Sequence, residues 1–167
     1  MDIKAFIIDV DGTLTNGMIY YGDNIELKIF NIKDGTALKY LSSINITVVF
    51  ITGRISEAVA RRAAEFNITA IQGVEDKKQK LEEFLADTSI NAEQCAYIGD
   101  DLNDYAAMKI CGFKACPSDA VAEIREICDY VSPYAGGNGA VRDVCEYILK
   151  RDGKYEKFVR SFFGVIN

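Results

Sequence analysis

The chain of 167 residues contains no histidine. That absence excludes histidine-based zinc sites, phosphohistidine chemistry, Ser-His-Asp triads and Cys-His dyads together, leaving catalysis to carboxylates, lysine, hydroxyls and a hard metal. A basic excess is missing too: 19 Lys and Arg stand against 25 Asp and Glu, a net charge of -6. Nucleic-acid and anionic-membrane surfaces need concentrated cations, so neither partner is expected; a small molecule or another protein is. None of the five cysteines, Cys95, Cys111, Cys116, Cys128 and Cys145, is spaced C-x-x-C. Most sit in apolar stretches, as buried small hydrophobes in a reducing compartment do. No apolar run approaches membrane length, and "MDIKAF" carries no charged leader ahead of an apolar segment, so a cytoplasmic protein is expected.

What is present is a hydrophobic share of 49% spread along the chain, which fits one globular domain over 1–167. Short β-rich apolar runs near 4–10, 47–51, 69–72, 95–99, 113–116 and 129–131 alternate with amphipathic stretches near 35–43, 55–66, 76–87, 102–109, 120–127 and 139–151. The alternation predicts an α/β fold, a Rossmann-like parallel sheet with helices on both faces and ligands at the carboxyl ends of the strands. One segment, about 17–31, breaks the pattern: around a Gly22-Asp23-Asn24 turn, Ile25, Leu27 and Ile29 alternate with Glu26, Lys28 and Phe30. This predicts a projecting β-hairpin with too much apolar surface for a solvated ribbon, which must pack on something, another subunit included. The tail, about 152–167, sets Lys154, Lys157 and Arg160 among Tyr155, Phe158, Phe162 and Phe163. It suits a terminal helix covering the core and a segment docking on a neighbour equally.

The chemistry concentrates at strand exits. In "AFIIDVDGTLTNG" a core strand ends in Asp9 and Asp11, and Gly12 lets the chain turn at once. Two carboxylates this close repel unless a cation joins them or one keeps a proton. In "AYIGDDLNDYAAM" a second strand ends in Asp100, Asp101 and Asp104; helix capping accounts for one of the three. With the two exits side by side, Asp9, Asp11 and Asp100 make an all-oxygen site suited to Mg²⁺ and a substrate phosphate. "VVFITGRIS" offers Thr52, Gly53 and Arg54 ahead of a helix, a hydroxyl and backbone amides fit to cradle phosphate or to serve as an ordinary loop. In "IQGVEDKKQKLEEF" Lys78 and Lys80 suit a solvated face, while Lys77 is the lysine best placed to reach a pocket.

The order D-x-D-G-T, T-G, K, G-D-D-x-x-D, each at or just beyond a strand exit, resembles the haloacid dehalogenase superfamily of phosphotransferases over nearly the whole chain. The resemblance implies Asp9 as the nucleophile that forms an aspartyl-phosphate and Asp11 as general acid and then base, its carbonyl also ligating Mg²⁺. It further implies Thr52 and Gly53 on the phosphoryl oxygens, Lys77 beside the nucleophile, Asp100 on the metal, and Asp101 and Asp104 supporting that shell. Only about 40 residues separate the first motif from Thr52 and about 25 separate Thr52 from Lys77, too few for a cap domain of at least ~50 residues.

The hairpin with "FNIKDG", "TGR", "QGVEDK" and "YAGGNGAVRDVCEYIL" resembles the subfamily of 3-deoxy-manno-octulosonate 8-phosphate phosphatases and their sialic-acid-type relatives. This implies a sugar acid phosphate substrate, a homotetramer built through the hairpins, lids supplied by neighbouring subunits, and a product bound for cell-surface glycan synthesis. Arg54 and Lys33, and less directly Arg62, become candidates for the anionic sugar acid, and Arg142 for a structural ion pair. Asn138 where the subfamily often has Arg, Asp143 where it often has Glu, and "DGTAL" in place of "DGYGI" leave a nonulosonate 9-phosphate as the alternative substrate. A receiver-like signalling domain also uses clustered Asp, Thr, Lys and Mg²⁺. Its paired acids are normally adjacent and its phospho-acceptor lies on a later strand, so D-x-D on the first strand speaks against it.

Overall fold

Helices cover both faces of β1 (Ala5–Ile8), so its four apolar side chains are completely buried in the computed structural model, which describes residues 2–23 and 25–164. Side chains alternate along a strand, and Phe6 and Ile8 enter one core while Ala5 and Ile7 enter the other. After β1 come the hairpin strands β2 (Tyr20–Gly22) and β3 (Ile25–Leu27), then α1 (Ile32–Ser43), β4 (Thr47–Ile51), α2 (Glu57–Glu65) and β5 (Thr69–Ile71). The second half runs α3 (Lys77–Thr88), β6 (Cys95–Ile98), α4 (Leu102–Ile110), β7 (Phe113–Cys116), α5 (Ala122–Ile127), β8 (Tyr130–Val131), α6 (Ala140–Arg151) and α7 (Tyr155–Phe163). Six strands form one parallel sheet in the order β5-β4-β1-β6-β7-β8. Residues of α1, α2, α6 and α7 pack against the Phe6 face, and residues of α3, α4 and α5 against the Ile7 face. This is the doubly covered parallel sheet that the alternation predicts, and no cap domain interrupts it among the described residues.

α1 starts earlier than the periodicity predicts, at Ile32 rather than near 35. The Asn31 side chain caps it, accepting a hydrogen bond from the Lys33 amide at 2.8 Å. Gly35 falls inside the helix because the Phe66 ring and the Arg62 guanidinium lie where its Cβ would be. The terminal helix packs on the core: Phe158 of α7 is fully buried, its ring centroid 4.7 Å from that of Tyr40. Val165–Asn167 and the side chains of Phe162 and Phe163 lie outside the described residues, as does Asn24 of the expected turn.

The hairpin forms as predicted, with Tyr20 paired to Leu27, Tyr21 to Glu26 and Gly22 to Ile25. Its polarity is inverted. Along 25–30 the apolar Ile25, Leu27 and Ile29 are more than half exposed, whereas Lys28 is buried and Glu26 and Phe30 are partly so. The face turned toward the domain is thus the charged one, and the face turned outward is apolar.

Candidate active site

Parallel register brings the motifs together. Ile8 of β1 aligns with Phe50 of β4 and with Ile98 of β6, so Asp9, Thr52 and Asp100 leave the sheet at the same edge within two residues of those partners. The central position of β1 makes Asp9 the residue flanked by both neighbouring exits.

Asp9 is buried, and its Oδ1 is paired with the Lys77 ammonium, itself 1% exposed. Lys77 opens α3, capped by Asp76, whose side chain accepts from the Gln79 amide. The same ammonium donates to Oδ1 of Asp104 at 2.7 Å, and the Tyr97 hydroxyl donates to that oxygen at 2.8 Å. Oδ2 of Asp104 accepts from the Asp100 amide at 3.2 Å and the Asp101 amide at 3.5 Å. Burial, reinforced by the Asp104 carboxylate, pushes the Asp9 carboxyl well above its ordinary range against the pull of Lys77. Burial also opposes charge on Lys77, but Asp9 and Asp104 outweigh it and raise the ammonium's pKa. Desolvation, and then Asp104, hold the Tyr97 phenol well above its usual value, so it stays a donor.

Asp100 accepts from the Thr13 hydroxyl at 2.8 Å. Gly12, at φ 98°, passes so close that a Cβ there would fall on the Asp100 carboxylate; only glycine takes this turn without strain. Burial is the main cause that pushes Asp100 up to about 6, with Asp104 adding to it and Thr13 opposing. Carboxylate oxygens of Asp9, Asp100 and Asp104 lie within 4.8 Å of one another. Three carboxylates offering only hard oxygen donors, two of them buried and Asp100 partly so, make a donor set that fits Mg²⁺.

This corrects the spacing argument in one respect. The Asp11 side chain is not in the cluster; its Oδ1 pairs with Lys28 of the hairpin. Asp104 stands in the cluster instead, with both oxygens engaged by Lys77, Tyr97 and backbone amides. Asp101 caps α4, its Oδ1 accepting from the Leu102 amide at 2.7 Å. Lys78 and Lys80 pair with Glu82 and Glu83 on a half-exposed face, as expected.

Thr52 is 2% exposed, and its hydroxyl accepts from the Arg54 amide at 3.3 Å. The T-G-R stretch is not the start of α2: that helix begins at Glu57 with Ser56 in the N-cap position, so any phosphate cradle here is made of loop amides rather than a helix terminus. The Arg54 guanidinium turns onto the hairpin, donating to Tyr21 Oη at 2.8 Å and Glu26 Oε2 at 3.0 Å. Lys33 is exposed on the first turn of α1, beside a cavity of about 170 Å³ lined also by Tyr134, Asn138 and Gly139 and by none of Asp9, Asp100 and Asp104. Arg62 is structural, bridging Glu65 at 2.7 Å and the Asn31 carbonyl at 3.0 Å over the Phe30 and Phe66 rings. Arg142 pairs with Glu146 and covers the Phe158 ring, the structural role foreseen for it.

Sequence reasoning assigned no part to Thr13, Tyr97, Lys28 or Gly137, whose amide donates to the Thr13 carbonyl at 3.0 Å. A tyrosine in an otherwise aliphatic strand and a lysine on the inner period of the hairpin were the available signals.

Residues 60–143 match the family model of the haloacid dehalogenase-like hydrolases. Over 158 residues the chain is 39% identical to the 3-deoxy-D-manno-octulosonate 8-phosphate phosphatase KdsC of Escherichia coli (strain K12), an alignment covering 93% of this chain and 84% of that protein. The fold superposes with a TM-score of 0.92 on the crystal structure of the same-named phosphatase from Moraxella catarrhalis in complex with magnesium ion, phosphate ion and KDO. That pair is 41% identical, with 96% of this chain and 93% of the other covered. The cobalt-bound phosphatase of Haemophilus influenzae gives a TM-score of 0.90 at 36% identity, covering 94% and 93%. Similarity at this level over nearly the whole length places the chain in a family: it belongs to the haloacid dehalogenase-like hydrolases, among the 3-deoxy-D-manno-octulosonate 8-phosphate phosphatases.

Proposed function

We propose that this protein is a Mg²⁺-dependent phosphatase that hydrolyses 3-deoxy-D-manno-octulosonate 8-phosphate to the free sugar acid and phosphate through an aspartyl-phosphate on Asp9. The observation that carries the reading is the buried Asp9 carboxylate, ion-paired to Lys77 and sharing a 4.8 Å cluster with Asp100 and Asp104 at the exits of β1 and β6. The Asp9 oxygen attacks phosphorus as the bond to the sugar oxygen breaks, and Asp11 protonates the departing oxygen. Asp11 then takes a proton from the water that cleaves the acyl phosphate, returning Asp9 as carboxylate. Lys77 keeps positive charge beside the nucleophile, while the Thr52 hydroxyl and the Gly53 amide bind phosphoryl oxygens. Asp9, Asp100 and the Asp11 carbonyl would hold Mg²⁺, which when bound neutralises charge on the transferring phosphoryl group. Asp104 and Asp101 fix those groups from behind. Of the three cations considered for the sugar acid carboxylate, Arg54 is the best placed, its amide bonded to the Thr52 hydroxyl.

The outward apolar row of the hairpin supports assembly with further copies of this chain as a homotetramer, each hairpin helping to enclose a neighbour's site. Five free cysteines, four of them buried, fit a cytoplasmic location. The test is phosphate release from keto sugar acid 8-phosphates and 9-phosphates at equal concentration. We expect a preference of at least ~100-fold in kcat/KM for the octulosonate, about 2.7 kcal/mol, and loss of Mg²⁺-dependent p-nitrophenyl phosphate hydrolysis in Asp9→Asn. Comparable rates on ordinary hexose phosphates would refute the substrate, and unchanged hydrolysis by Asp9→Asn would refute the mechanism.

A further inference from the structure

Lysine is seldom fully buried, yet the Lys28 side chain has 0% exposure. It follows β3 on the inner face of the hairpin, and its ammonium is ion-paired with Oδ1 of Asp11. Glu26, two residues earlier on the same face, stands 3.8 Å from that ammonium and 3.0 Å from the Arg54 guanidinium. The hairpin therefore touches both the D-x-D loop and the T-G-R loop. Oδ2 of Asp11 is buried and has no hydrogen-bond partner among the described residues. Stripping water from a lysine and a carboxylate is costly, and a surface ribbon gains no stability that would require it. The arrangement makes sense if its product is orientation: one Asp11 oxygen is tied down and the other left unengaged.

We propose that Lys28 is the positioning residue of Asp11, fixing Oδ1 so that Oδ2 is the oxygen that carries the proton. The proposal rests on the reading of Asp11 as the acid and base of the reaction. In the first half-reaction the proton on Oδ2 passes to the bridging oxygen as the phosphorus-oxygen bond breaks. In the second, water returns a proton to Oδ2 as its oxygen attacks phosphorus and Asp9 leaves. Lys28 keeps its own protons throughout.

A poor leaving group needs the proton and a good one does not, so the test compares phenyl phosphate with p-nitrophenyl phosphate, two substrates of nearly one shape. The quantity read is the ratio of their kcat/KM values, which covers the step in which the alcohol departs. It is taken within one full-chain Mg²⁺-loaded preparation, so a reduced folded fraction cancels. In Lys28→Met the ratio of p-nitrophenyl to phenyl phosphate should rise at least ~10-fold over wild type, within the reach of acid catalysis, and Lys28→Arg should bring it back. Should Lys28→Met not fold, Lys28→Gln carries the same comparison. Asp11→Asn separates the two ideas: a raised ratio there with an unchanged ratio in the Lys28 variants overturns the positioning role alone. An unchanged ratio in Asp11→Asn overturns the acid role of Asp11 and this proposal with it.

Discussion

Asp34, in the first turn of α1, carries a buried carboxyl whose Oδ1 accepts from the Arg142 amide at 2.7 Å, at the start of α6. Oδ2 has no hydrogen-bond partner among the described residues, and burial pushes this carboxyl up to about 6 from 3.8. A folded-state pKa above the unfolded one means that the favourable contribution is complete below about pH 3.8 and is lost as pH rises through about 6. By neutral pH the ionised Asp34 costs about 3 kcal/mol relative to its protonated form. Asp34→Asn keeps an oxygen for the Arg142 amide and carries no charge. Its stability relative to wild type, measured by urea denaturation, should therefore grow by about 1–2 kcal/mol between pH 5 and pH 7.5; a difference flat with pH would contradict this. At the same scale, Asp9, Asp100 and Lys77 were legible in the sequence because each sits at a strand exit or a helix start, places that periodicity locates. Lys28 and Tyr97 were not, since their partners depend on how a hairpin docks and on how a loop folds under a strand, neither of which local spacing encodes.

Among the elements, α7 has one buried side chain within its described residues. Phe158 is fully buried, tilted against Tyr40, 5.9 Å from the Tyr155 ring and capped by the Arg142 guanidinium. Phe158→Ala should lower stability by about 3–5 kcal/mol through the cavity it leaves, while kcat/KM at a temperature well below the transition stays within about twofold of wild type. A thermal melt beside a p-nitrophenyl phosphate assay checks both halves, and a melting temperature equal to wild type would show that α7 is not docked through this ring. The six core strands were readable because runs such as Ala5–Ile8 and Cys95–Ile98 are apolar on both faces and end in glycine or aspartate. The periodicity starts α1 near 35, whereas the helix begins at Ile32 because the Asn31 side chain caps it, and Gly35 then falls inside its first turn. Its value lies in a neighbour, the Phe66 ring and Arg62 guanidinium packed over it from α2, and one element's sequence carries no record of such packing.

For the molecule as a whole, the hairpin presents Tyr20, Ile25 and Leu27 outward while Glu26 and Lys28 grip the domain. If those apolar residues join copies of the chain, Ile25→Asp combined with Leu27→Asp should bring the mass in light scattering down to that of a single 18.5 kDa chain. An unchanged mass would remove the hairpin from the interface. The alternation was visible in the sequence, but which period faces the domain was not, because both periods of a short ribbon are sterically equivalent until it docks. The sheet order has another reach. Asp9 directly follows the first strand, yet its lysine is 68 residues further on, and Thr13 waits for an aspartate 87 residues away. Gly137 then closes on the Thr13 carbonyl from beyond β8. During synthesis on the ribosome, Asp9 and Thr13 therefore emerge long before the lysine and the aspartate they pair with. The catalytic centre forms only when β6 and the chain past β8 have been made, so a nascent chain halted before that point holds all of the first motif and none of its chemistry.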